Sequence, residues 1–203
     1  MRTPQRSAFG VYAALTSQIT SFAALVTFEE LRGRDLAQQI AVFGGDPKAP
    51  GAQEVIGDVT VFAVLVMAVV VTTLFAAATY LSWLSRAARV GKLKATAAWL
   101  IPGVNLVAPM ILADQAWRET RKESRLRWLL LLGGWWAAGL TTVWLIAESH
   151  AVHTNLTGLS LRELTAAAIT AALCAATIWE VSSPRTIRVL SRQTIATISP
   201  SSK

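Results

Sequence analysis

The residues best suited to chemistry cluster around one stretch, Trp99 to Arg118, which reads W-L-I-P-G-V-N-L-V-A-P-M-I-L-A-D-Q-A-W-R. Arg86, Arg89 and Arg118 flank its apolar centre, and a guanidinium fork matches the geometry of a phosphate or carboxylate. With Asn105 and Asp114 to orient the bound group, these three arginines describe a pocket for an anionic headgroup or a small anion. The plainer reading of the same residues, and the favoured one, is a packed interfacial hairpin. In that reading the arginines answer only to membrane topology, and Asp114 and Arg118, four residues apart, pair on one helix face.

Other chemistry is sparse. His150 and His153 have a spacing compatible with a shared metal, but they are the only histidines, so they read as a solvated loop and no metal or cofactor is expected. Gln18 falls inside an apolar block, where an uncharged amide serves to hydrogen-bond a neighbouring helix. There is no Gly-rich phosphate loop, no His-Glu-x-x-His and no nucleophile elbow. Asp114 is the one plausible acid or base near the pocket, so a lipid-modifying enzyme is the least favoured reading.

These residues must be positioned by membrane helices. The chain has 203 residues, 53% hydrophobic and 15% charged, with a mean hydropathy of +0.46. Such a chain cannot stay open in water, and Cys174 as the only cysteine excludes a disulfide scaffold. The net charge of +7 sits in short segments between apolar blocks, which points to topology rather than to nucleic acid.

A spanning helix needs about 20 apolar residues, and four stretches qualify: 8–28, 59–84, 126–147 and 164–182. Arg2 and Arg6 precede the first, which is read as an uncleaved helix rather than a removed signal. A fifth stretch, 95–113, contains Pro102, Asn105 and Pro109. Proline deletes a helix hydrogen bond, and open backbone groups are costly in hydrocarbon. The expectation is a broken, re-entrant or interface-lying segment, flanked by Trp99 and Trp117 at headgroup level.

Charge supports that expectation. Arg86, Arg89, Lys92 and Lys94 lie before the stretch, and Arg118, Arg121, Lys122, Arg125 and Arg127 lie after it. A segment that dips and returns keeps both clusters in the cytoplasm. The loop 29–58 is acidic on balance and belongs outside, and so does the segment from Ser149 to Glu163. In the outer loop, Asp35 is a candidate N-cap for a short helix carrying Leu36, Ile40 and Phe43, stopped by Gly44 and Gly45. The tail 183–203 carries Arg185, Arg188 and Arg192 and reads as cytoplasmic. The expected architecture is all-α: one membrane-embedded domain, 1–182, of four spans plus the broken segment, with both termini inside. Small residues four apart, such as Gly134 and Ala138, suit close helix approach, within the bundle or between two copies.

The order Trp99, Pro102, Val104, Asn105-Leu106, Pro109, Asp114 and Trp117-Arg118, with Trp83-Leu84 and Arg86-Ala87 upstream and Trp135-Trp136 downstream, resembles domain-of-unknown-function family 4328. Its members are small, mostly actinobacterial integral membrane proteins. The resemblance covers roughly residues 80–136; this chain departs from the pattern at Val90, where an Asn is typical, and at Val107, where an aromatic is common. What it implies is architecture in a bacterial cell membrane, not an activity. The leading functional expectation is therefore a non-enzymatic scaffold or partner-interaction protein, in contact with membrane lipids and with a protein partner or a second copy of itself. The alternative is an anionic-headgroup or small-anion binder or transporter.

Overall fold

The computed structural model describes residues 4–43, 48, 52–88, 104–120, 124–149 and 156–183, and within them all regular structure is helical. The order is α1 (Pro4–Phe28), a single π turn (Glu29–Gly33), α2 (Arg34–Val42), α3 (Ala52–Ala87), α4 (Val104–Thr120), α5 (Arg125–Ser149) and α6 (Leu161–Ser182). Among the described residues, four stretches are long and apolar enough to cross a membrane: Ala8–Val42, Val55–Ala87, Arg125–Ser149 and Leu161–Ser182. The all-α, four-helix expectation agrees with this.

Local chemistry explains why these blocks are helices. In hydrocarbon every backbone group needs a partner within the chain, and a helix supplies one within each segment. Hydroxyl groups join the same scheme: Thr72, Thr79, Thr142 and Thr170 each donate to the carbonyl four residues back at 2.7–2.9 Å. The outward face of α3 is apolar, with Val64, Met67, Val71 and Leu74 all more than half exposed. Water would penalise such a contiguous surface, whereas lipid tails match it.

The four long helices run alternately up and down. α1 packs on α3 and α6, and α5 packs on α6. One buried cluster gathers the start of α1 (Val11), the end of α3 (Trp83, Leu84), α4 (Ala113, Ala116, Trp117), the start of α5 (Trp128, Leu132, Trp135) and the end of α6 (Ile178, Val181). This is the aromatic end. A smaller cluster of Phe22, Leu25, Val26 and Leu159, with Phe62, Ile146 and Leu164 against it, marks the distal end. Hence α3 finishes and α5 starts at the same end of the bundle, and α4 packs there between them in sequence.

Two boundaries differ from the sequence reading. The connection expected over 29–58 is largely helix: the chain continues from α1 through the π turn into α2, and α3 begins at Ala52. Asp35 caps nothing, because Gly33 before it already has helical angles (φ −59°, ψ −42°). The π turn carries one extra residue per turn; Glu29, its first residue, and Leu36, in the helix that follows, are buried. The 36-residue α3 rises roughly 54 Å, well beyond the about 30 Å of hydrocarbon.

The second difference concerns 95–113. Residues 95–103, including Trp99 and Pro102, lie outside the described residues. From Val104 onward the backbone is one helix that contains both Asn105 and Pro109. Pro109 is the sixth residue of α4, so its missing N–H removes a single intrahelical bond near the start, and its ring is buried in the protein. The helix tolerates the proline without a break.

Candidate functional site

The aromatic end brings together most of the described residues singled out in the sequence. It is built outward from Asp114 on α4. One carboxylate oxygen, Oδ2, accepts from Arg118 Nε at 2.7 Å and from its Nη2 at 2.6 Å, the i,i+4 pair anticipated from spacing. The other, Oδ1, accepts from the indole Nε1 of Trp128 on α5 at 3.1 Å. Both oxygens are therefore engaged within the protein. The Asp114 side chain is 18% exposed and that of Arg118 59%, so the guanidinium keeps an open face toward the surroundings.

Aromatic rings reinforce this clamp. Trp117 lies flat on Trp128, with centroids 5.5 Å apart and planes 3° from parallel, the offset arrangement that ring quadrupoles favour. Trp117 is buried among the helices of this end. On α3, Trp83 donates from Nε1 to Ser182 Oγ on α6 at 3.1 Å, which gives a buried indole its partner. Tyr80 sits between Trp83 and Trp135, 5.7 Å from each, and Trp136 meets Trp135 edge-on. Arg127 at the start of α5 pairs with Glu180 on α6 at 3.1 Å.

Arg86 is exposed on the last turn of α3. Arg89, Trp99 and Pro102 fall outside the described residues, as does the side chain of Asn105. The structure thus joins Asp114, Arg118, Trp83, Trp117 and the buried Pro109 to one end of the bundle. Trp128, unremarked in the sequence because it opens an ordinary apolar block, completes the clamp on Asp114.

The distal end is organised by a residue that spacing did not reveal. Glu29, in the π turn, is 0% exposed, and its Oε1 accepts from the Thr157 N–H at 2.8 Å and the Thr157 hydroxyl at 2.7 Å. Gly33 makes room for it, since a Cβ there would lie 2.8 Å from Glu29 Oε2. Beside it, Ser160 and Glu163 form a reciprocal capping box at the start of α6, the Ser-x-x-Glu pattern in which both side chains satisfy first-turn N–H groups. Arg32–Asp58 and Arg162–Glu148 pairs complete this end. His150 and His153 lie outside the described residues, and among those described no cluster of metal-ligating side chains forms.

No family model matches the chain, and no curated protein or solved structure matches it either.

Proposed function

We propose that this chain is a four-span cell-membrane protein with both termini in the cytoplasm, acting through non-enzymatic partner interaction at its aromatic end. The observation that carries the reading is the balance of charge at the two ends. Among the described residues, Arg86, Arg118, Arg125 and Arg127 outnumber Asp114 and Glu180 at the end where α1 begins and α6 finishes. At the other end Glu29, Glu30, Asp35, Asp58, Glu148 and Glu163 outnumber Arg32, Arg34, Lys48 and Arg162. Retention of Lys and Arg on the cytoplasmic face makes the aromatic end the inner one. The segment 95–113 then stays on the cytoplasmic side as a re-entrant or interfacial piece. On this reading the chain is a bacterial relative of domain-of-unknown-function family 4328, on the strength of the Trp99–Arg118 pattern.

Engagement of both Asp114 oxygens supports a structural role for that carboxylate over an acid–base one. A packed, cation-rimmed face suits docking of a membrane partner. Two experiments test the reading. With Cys174 replaced, single cysteines beside Lys94 and Arg121 are expected to react only from the cytoplasm, and one beside His153 only from outside. Labelling next to Arg121 from outside would overturn the orientation. A photocrosslinker at position 86 is expected to give one discrete, repeatable adduct in intact membranes, and a strict monomer without adducts would refute partner interaction.

The exposed guanidiniums of Arg86 and Arg118 favour a second reading, in which Arg86, Arg89 and Arg118, with Asn105 and Asp114, hold an anionic headgroup. Native mass spectrometry with anionic phospholipid tests it. Unchanged lipid retention in Arg86→Ala and Arg118→Ala would remove it.

A further inference from the structure

Midway along the spans, all four long helices border a cavity of about 490 Å³. Its volume falls within the about 300–1,000 Å³ usual for small-molecule sites. The cause is visible in the packing. α1 seats against α3 and α6, and α5 against α6, but α3 and α5 meet across the gap through the Tyr80 and Trp135 rings. Above that contact their facing residues are small, Ala77 on one side and Gly139 on the other. A Cβ added at Gly139 would meet only Thr170 Cγ2, at 3.8 Å.

The lining is mostly apolar, with two polar pairs on separate walls. Gln18 Nε2 donates to Thr73 Oγ1 at 3.2 Å, joining α1 to α3. The hydroxyls of Thr142 and Thr170 lie 2.9 Å apart, joining α5 to α6. All four residues border the cavity, and its lining includes aromatic rings but no charged side chain. An apolar space of this size takes up lipid tails or a bound molecule, because its lining forfeits packing contacts when unfilled. Because α3 and α5 are not among the closely packed helix pairs, a molecule dissolved in lipid would enter through the seam between them without crossing water.

We infer that this cavity is a binding site for an uncharged lipid-like molecule, an apolar chain bearing a carbonyl or hydroxyl oxygen. The chain fills the space beside Tyr80, Trp135 and Trp136. The oxygen exchanges hydrogen bonds with the Gln18–Thr73 pair, whose amide keeps a second N–H and an acceptor oxygen. The Thr142 and Thr170 hydroxyls, whose protons go to the Ala138 and Ala166 carbonyls, can only accept from a ligand hydroxyl. A charged headgroup is excluded, because the cavity offers no counter-ion and burying a lone charge is prohibitive. The site is separate from the cationic face at the aromatic end and does not depend on the function proposed for it.

The test uses the full chain in lipid nanodiscs, with nitroxide-labelled methyl stearate as a quencher of tryptophan fluorescence. Saturable quenching is expected, displaced by unlabelled methyl stearate or by farnesol. Displacement by the ester alone assigns an acyl-chain ligand, and displacement by farnesol an isoprenoid one. Octadecane, which has no oxygen, is expected to compete at least tenfold less well. Gly139→Leu and Ala77→Leu, which fill the cavity from opposite walls, should each weaken binding at least tenfold, whereas Val64→Leu on the exposed face should leave it unchanged. Should the filling variants not fold, the competition series on the unaltered protein still decides. Quenching that rises linearly with probe content and ignores every competitor overturns the inference, as does equal competition by octadecane.

Discussion

Removal of the Asp114 carboxylate separates what the aromatic end owes to charge from what it owes to a satisfied indole. In Asp114→Ala the Trp128 Nε1–H loses its acceptor inside a residue only 2% exposed, and an unsatisfied buried donor costs about 1–3 kcal/mol. The ion pair with Arg118, whose side chain is 59% exposed, adds no more than about 1 kcal/mol after solvent screening. The total is about 1–4 kcal/mol, centred near 2–3. Asp114→Asn keeps an oxygen for Trp128 and loses only the ion pair, so it should cost under about 1 kcal/mol. On the soluble-domain scale of roughly 2–4 °C per kcal/mol, the two variants fall clearly apart in thermal unfolding followed in mild detergent. A double-mutant cycle with Trp128→Phe should return a coupling of about 1 kcal/mol. Equal losses for Asn and Ala, or a coupling indistinguishable from zero, would refute the assignment of Asp114 as acceptor for Trp128.

Three further perturbations address the distal end. Gly158 has φ +73°, and a Cβ there would lie 2.5 Å from the Ser149 carbonyl oxygen, so Gly158→Ala should lower the melting temperature by more than the about 1–2 kcal/mol of left-handed strain implies. Gly139→Ala, which meets ordinary contact only, serves as its near-neutral comparison. Ser160→Ala removes the capping box of α6 and should cost about 1 kcal/mol, read by the same thermal assay. Glu29→Ala strips the acceptor from both Thr157 donors and should accelerate proteolytic cleavage near residues 156–160. Glu29→Gln retains a carbonyl oxygen there and should be cleaved more slowly than Glu29→Ala.

Sequence periodicity located α5 and α6 to within three residues at each end, because charged or capping residues bracket uniformly apolar blocks there. It underestimated α3 and the run from α1 into α2, since polar residues such as Glu30, Arg34, Gln38 and Gln53 signal solvent, not the end of a helix. Glu29 was read as a loop acid for the same reason: its burial depends on Thr157, 128 positions away. The Asp114–Arg118 pair was legible because it is local. Its third member, Trp128, comes from another helix and carries no local mark. Gly134, read as a site of close helix approach, has no atom within 4 Å of an added Cβ. The cavity was illegible in principle, being a separation between α3 and α5 and not a property of either.

The position of the polar contacts explains why that separation persists. Lipid tails are as apolar as leucine, so apolar faces gain little by meeting one another, and helix pairs are selected by hydrogen bonds, ring contacts and close fit. Here the contacts that join α3, α4, α5 and α6 concentrate at the aromatic end, through Trp83–Ser182, Asp114–Trp128 and Arg127–Glu180. A second group, Glu29–Thr157 and Arg32–Asp58, fastens the distal end. Between them, Gln18–Thr73 and Thr142–Thr170 each close a sequential hairpin and leave the seam between the hairpins open. The two ends are separated by roughly 30 Å of helix and share no partner, so their contributions should add to within about 0.5 kcal/mol. The double variant Asp114→Ala with Glu29→Ala is therefore expected to lose the sum of the single losses. A loss well below that sum would mean that one end already loosens when the other is cut, and that the bundle is not held by two independent clasps.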